Sequence, residues 1–288
     1  MPRWFIDERG TLRGGWKALG FLLPLASLGF LASLGLQAAG LRTGAWAGAG
    51  VGALASYLCV RLEGRTFGSL GFLPGRRWLL EFLAGTLGGI LLILLMALMV
   101  KGLGGFHWER TPGVGIPQLL TAAAILLGVA FHEEIIARGY PFQRVVEGAG
   151  PWVGQLVFAT LFALAHWGNP GMAGATRIWA TLNIGLAAIL LGFCYLRTRS
   201  LALPIGVHLG WNWAQGSLLG FGVSGTTDIK GAWTPVFHGR PEWLTGGAFG
   251  LEASLPCAII CGGAIVALWW WKGTAPEPSA GASTASGS

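Results

Sequence analysis

Long apolar runs constrain this chain more than any other feature. Eight segments, at about 18–39, 44–62, 78–100, 116–138, 151–168, 178–196, 201–221 and 249–271, are close to continuous in apolar residues. A helix needs about 20 such residues to cross roughly 30 Å of hydrocarbon. In that solvent every backbone N–H and C=O must find its partner inside the protein, so only helices and closed barrels span it. The runs lack the period-2 alternation of barrel strands. The sequence therefore predicts an all-α fold, a polytopic transmembrane bundle of about eight spans. Charged residues are 11% of 288, against about 25% in a soluble domain, which is too few to coat a water-facing surface. One domain over 1–272 is expected, followed by a disordered polar tail, 273–288.

The net charge of +7 does not point to nucleic acid, because of where it sits. Basic residues gather at the N-terminus (Arg3, Arg9, Arg13, Lys17), at 61–77 (Arg61, Arg65, Arg76, Arg77), at Arg138 and Arg144, at Arg197 and Arg199, and at Lys272. This alternation is the positive-inside pattern and predicts both termini in the cytoplasm of a multi-pass membrane protein. A bacterial cytoplasmic membrane is the expected location and the lipid bilayer the expected partner. The first apolar run is too long for a cleaved signal peptide and is read as a retained span. Cys59, Cys194, Cys257 and Cys261 all lie in apolar segments and read as small buried hydrophobes.

Gly44, Gly48 and Gly52, and again Gly85 and Gly89, recur at every fourth position. Such faces let helix backbones approach closely. The longest connection, about 222–248, is of a length often used as a cap or a binding loop.

Charged and hydrogen-bonding side chains inside spans cost free energy and usually face a cavity or a partner. The fourth run ends in Phe131-His132-Glu133-Glu134-Ile135-Ile136-Ala137-Arg138. Two adjacent carboxylates repel unless one is neutralised. Glu134 and Arg138, four apart, share a helix face and can pair. Glu133 lies about 100° away and is free for chemistry as a general base. The fifth run carries Phe162 and His166 on one face. The seventh carries His208 and Asn212 on one face, suited to donating to an oxyanion, binding a metal or joining helices. Glu81 is expected to pair with Arg76 or Arg77. Asn183 and Glu252 are milder oddities in later spans. No Ser-His-Asp arrangement, no Gly-Asp pair and no His-Glu-x-x-His zinc motif is present.

In order, Glu133-Glu134-x-x-x-Arg138, Phe162-x-x-x-His166 and His208-x-x-x-Asn212 resemble the three motifs of the CAAX protease and bacteriocin-processing family of intramembrane proteases, over about 130–215. The run 246–254 (GGAFGLEAS) also resembles bacterial members. The resemblance implies an eight-helix bundle with a cavity and hydrolysis of a peptide bond in a membrane-associated, possibly lipidated, protein or peptide. It implies that Glu133 and His166 activate the water, that His208 and Asn212 form the oxyanion site, and that Glu134, Arg138 and Phe162 support them. No cofactor is expected to be obligatory, although Glu133, His166 and His208 are adequate zinc donors.

A catalytically silent peptide-binding scaffold or immunity protein, or a proton-coupled transporter, would carry the same buried groups. One point of depth stays open. Glu133 and His208 lie about 7 Å from their span ends and His166 about 22 Å, at 1.5 Å per residue. They meet only if 139–150 dips into the membrane or the fourth span extends beyond its apolar run.

Overall fold

The computed structural model describes residues 5–6 and 11–275. Most of the expected disordered tail (276–288) and part of the basic N-terminal stretch (1–4 and 7–10) lie outside the described residues. Residues 273–275 are fixed, with Thr274 N and Ala275 N both donating to the Arg197 carbonyl.

The apolar runs are helical, as their composition demands. They form α1 (Gly14–Gly20), α2 (Leu22–Ala38), α3 (Ala45–Leu62), α4 (Arg76–Gly102), α5 (Ile116–Ala137), α6 (Tyr140–Ala149), α7 (Pro151–Ala165), α8 (Gly174–Thr198), α9 (Ala202–Asn212), the single turn α10 (Glu242–Thr245) and α11 (Leu255–Trp270). A proline in the first turn opens α5, α6, α7 and α11, where its missing N–H costs nothing. Five helical segments are long and apolar enough to cross a membrane: 14–38, 45–62, 76–102, 116–149 and 174–198. The remaining expected spans are shorter. α7 and α11 are apolar helices of 15 and 16 residues. The 201–221 run is the 11-residue α9 extended by a π-helical turn, Trp213–Leu218. Every residue of α9 except Leu203 is buried.

The outer helices carry the lipid-facing surface. α2 buries no residue, and Leu22, Leu23, Phe30 and Leu31 are all exposed. A contiguous apolar face of that kind is untenable in water, and the chain is an integral membrane protein.

One feature departs from the expectation of a purely helical fold. The Gly-rich segment after α4 and the long connection after α9 supply β1 (Phe106–Arg110) and β2 (Trp233–Phe237), an antiparallel ribbon with Phe106 opposite Phe237. The fold is thus helical with one ribbon, and not purely helical. The 139–150 segment, left in the sequence either as a dip into the membrane or as an extension of the fourth span, forms a separate helix. α6 buries Tyr140, Phe142, Gln143 and Val146, and Arg144 is 1% exposed, bonded to Glu147 and Glu63. Arg144 therefore acts as a buried tie, while Arg77 pairs with Glu81 at 2.8 Å as the sequence predicts.

Candidate active site

The site is built outward from α9. Gly206 and Gly210 of α9 face Phe82 and Thr86 of α4, and Gly85 and Gly89 of α4 face Leu203 and Val207 of α9. A β-carbon at any of the four would collide with the opposing backbone. The glycine spacing seen in α4 is thus what brings α9 to backbone distance. That packing fixes His208, between the two α9 glycines, and Asn212 one turn further on. Both are buried.

α5 meets α9 at His208. The His208 Nδ1–H donates to Glu134 Oε1 at 2.8 Å, and Arg138 Nη1 donates to the same oxygen at 2.9 Å. Glu134 and Arg138 are 0% and 1% exposed at the side chain, a depth at which an unpaired charge would be very costly. Arg138 Nη2 also donates to the Ala188 carbonyl of α8. The expected Glu134–Arg138 pair is present and is shared with His208. Glu133, on the adjacent face, is 27% exposed and holds Oε2 3.7 Å from His208 Nε2. With Nδ1 committed to Glu134, the Nε2 atom of His208 is the one that faces Glu133.

α7 supplies the opposite side. His166 is the residue that ends the helix. Its Nδ1–H donates to the Phe162 carbonyl at 2.7 Å, which fixes the ring and leaves Nε2 for other partners. The Phe162 ring lies 4.8 Å from the Arg138 guanidinium and 4.8 Å from the His166 ring, centroid to centroid for the latter. Phe162 therefore links the two sides through a cation–π contact. The depth problem has a structural answer. α6 is a separate buried helix between α5 and α7, so α7 does not continue α5, and His166 at its end comes to the same cavity as Glu133.

Helices α5, α7, α8 and α9, with the segments that carry Ser224 and Glu252, enclose one cavity of about 580 Å³, and Glu133, Phe162, His166, His208 and Asn212 all line it. Glu134 and Arg138 stand behind it. The Asn212 carboxamide has no hydrogen-bond partner among the described residues. The rest of the lining is largely apolar, from residues such as Leu126, Val129, Ile136 and Leu190.

Sequence reasoning underrated one wall. Asn183, Trp211, Ser224 and Glu252 also line the cavity. Glu252 accepts from Trp211 Nε1 at 3.1 Å, from Ser224 N at 2.5 Å and from Ser224 Oγ at 3.1 Å. Asn183 Nδ2 donates to the Glu252 and Ser254 carbonyls. The available signal was a carboxylate in an otherwise apolar run. His132 lines the cavity too, with its ring seated where Gly48 of α3 lacks a side chain.

Each of the two histidines named as zinc donors keeps one ring nitrogen for the cavity. His208 Nδ1 is taken by Glu134 and His166 Nδ1 by Phe162. Among the described residues no group of three His, Cys, Asp or Glu side chains converges to hold a metal, whereas a catalytic zinc site uses three protein ligands.

Residues 115–214 match the family model described as type II CAAX prenyl endopeptidase, Rce1-like. The match runs from the cap of α5 to just past Asn212 and contains every residue of the three motifs. No match was found among curated proteins or solved structures.

Proposed function

We propose that this chain, which over residues 115–214 matches the Rce1-like model of type II CAAX prenyl endopeptidases, is an intramembrane endopeptidase with Glu133, His166, His208 and Asn212 as its catalytic residues. The observation that carries the reading is their convergence: three separate helices bring these four side chains to one cavity.

Glu133 is the more exposed carboxylate and has a free oxygen, so it takes the proton of a water held between itself and His166. The hydroxyl attacks the scissile carbonyl carbon. Negative charge develops on the carbonyl oxygen, where the Asn212 carboxamide and His208 Nε2–H donate to it. For His208 to donate from Nε2 while Nδ1–H serves Glu134, it must be an imidazolium. The cluster accommodates that form: two carboxylates then face one guanidinium and one imidazolium. The proton on Glu133 passes to the leaving amine, and the tetrahedral adduct collapses. His166 orients the water through Nε2. Every step uses side chains of this chain alone.

The substrate is a membrane protein or membrane-associated peptide, with or without a lipid, since the cavity walls beyond the catalytic groups are apolar. Both termini face the cytoplasm of a bacterial membrane, in keeping with the basic residues at 61–77 and 197–199.

The test compares protein termini in membranes of cells making the wild type or Glu133→Ala at equal levels. New termini that require Glu133 are the expected result and name the substrates. Identical termini from two folded proteins would overturn the reading in favour of a peptide-binding scaffold or a transporter.

A further inference from the structure

Glu252 is a buried carboxylate that the mechanism above does not use. Its surroundings are unusually complete. Trp211 Nε1 donates to one oxygen, and the backbone N–H and hydroxyl of Ser224 donate to the other. Ser224 sits in the tight Val223–Thr226 turn with a left-handed φ of 48°. For a non-glycine residue that conformation is costly and persists only where the surroundings impose it. The Ser224 carbonyl accepts from Asn169 Nδ2 at 2.8 Å, and Asn169 N donates to the His166 carbonyl at 3.0 Å. On the other side Trp211 immediately precedes Asn212.

These bonds form an unbroken path: His166, Asn169, Ser224, Glu252, Trp211, Asn212. It closes the gap between α7 and α9 on the side away from Glu134 and Arg138. The Glu252 carboxylate and the His166 imidazole line the same cavity.

Resting on the peptidase reading, we propose that Glu252 is a positioning residue that ties the His166 end of α7 to the Asn212 end of α9 and so sets the width of the site. A carboxylate is required because three donors and no acceptor face it. A glutamine has the same size but one acceptor oxygen. Either orientation of its amide turns an NH2 group toward a donor, at Trp211 or at Ser224. An aspartate keeps both oxygens but is one methylene shorter, so it satisfies one side at the expense of the other.

The experiment uses the full-length chain in lipid nanodiscs and in cell membranes. Wild type, Glu252→Gln, Glu252→Asp and Glu133→Gln are compared for melting midpoint, for the rate at which Glu133-dependent termini appear, and for the ring ¹⁵N resonances of His166. Those resonances are assigned among the five histidines by their loss in His166→Gln. Glu252→Gln is expected to slow cleavage by about 100-fold, the scale of a small misplacement of reacting groups. It should do so while still folded, with shifted His166 resonances, and Glu252→Asp should recover part of the rate. A wild-type rate in Glu252→Gln, unshifted His166 resonances, or a loss of rate that only follows the loss of folded protein would overturn the proposal. If the wild type produces no new termini, the resonances decide alone. A shift then upholds the tie while the peptidase reading falls, and no shift sinks the tie.

Discussion

The two sides of the cavity are held by different physics. On the α4–α5–α9 side, His208 sits on a helix packed backbone to backbone through four glycines, and it is gripped by a fully buried carboxylate–guanidinium pair. On the α7 side, His166 sits at a helix end, fixed by one bond to its own helix and by the polar path through Asn169 and Ser224. The first side is a packing problem, in which a single added carbon has nowhere to go. The second is a hydrogen-bonding problem, in which a lost bond loosens the site without opening the core. Substitutions on the two sides should therefore fail in different ways: the first by unfolding, the second by losing catalysis in a folded protein.

The strongest way to break this comparison is Arg138→Ala. It leaves the Ala188 carbonyl without its donor and Glu134 with His208 alone, and breaking a buried pair costs about 3–5 kcal/mol. The detergent-solubilised protein should be largely unfolded or absent from membranes. Adding Glu134→Gln should recover part of that loss, and no recovery would mean that Arg138 matters chiefly through Phe162. Gly210→Ala is the next largest. Its methyl group meets the Thr86 backbone, and overpacking of this kind costs about 1–3 kcal/mol, read as a lower melting midpoint with lost activity. A normal midpoint would show that α4 and α9 can separate without penalty.

On the other side the effects on stability shrink. Asn169→Ala removes one bond to the Ser224 carbonyl and should cost about 1 kcal/mol, with a clear drop in cleavage rate. Glu133→Gln is expected to leave the melting midpoint nearly unchanged, since Glu133 is partly exposed and shares only a 3.7 Å ion pair with His208. It should nonetheless abolish Glu133-dependent termini. An unfolded Glu133→Gln protein would erase the distinction between the two sides.

The legibility of the site followed the same division. Glu134 with Arg138, Phe162 with His166, and His208 with Asn212 are each one helical turn apart, so a sequence reading pairs them from periodicity alone. Sharing His208 between Glu133 and Glu134 needs α9 laid against α5, and no local spacing encodes that. Glu252 was visible only as an oddity. Its partners lie at 183, 211 and 224, so its place in the wall depends on where a long connection returns. Only the structure shows the ring orientations of His166 and His208, whose Nδ1 atoms are committed and whose Nε2 atoms are left for the cavity.

Composition by itself determined that the chain is a helical membrane protein, because hydrocarbon leaves no other way to satisfy so long an apolar backbone. It also determined which side chains were too polar to face lipid. Tertiary structure decided how many runs reach spanning length, turned 139–150 into a buried helix and drew two loops into a ribbon. It also brought His166 to the same cavity as Glu133. The reason is that insertion into lipid is a property of each segment on its own, whereas depth, register and facing depend on which neighbours a helix packs against, and those contacts join residues far apart in the chain.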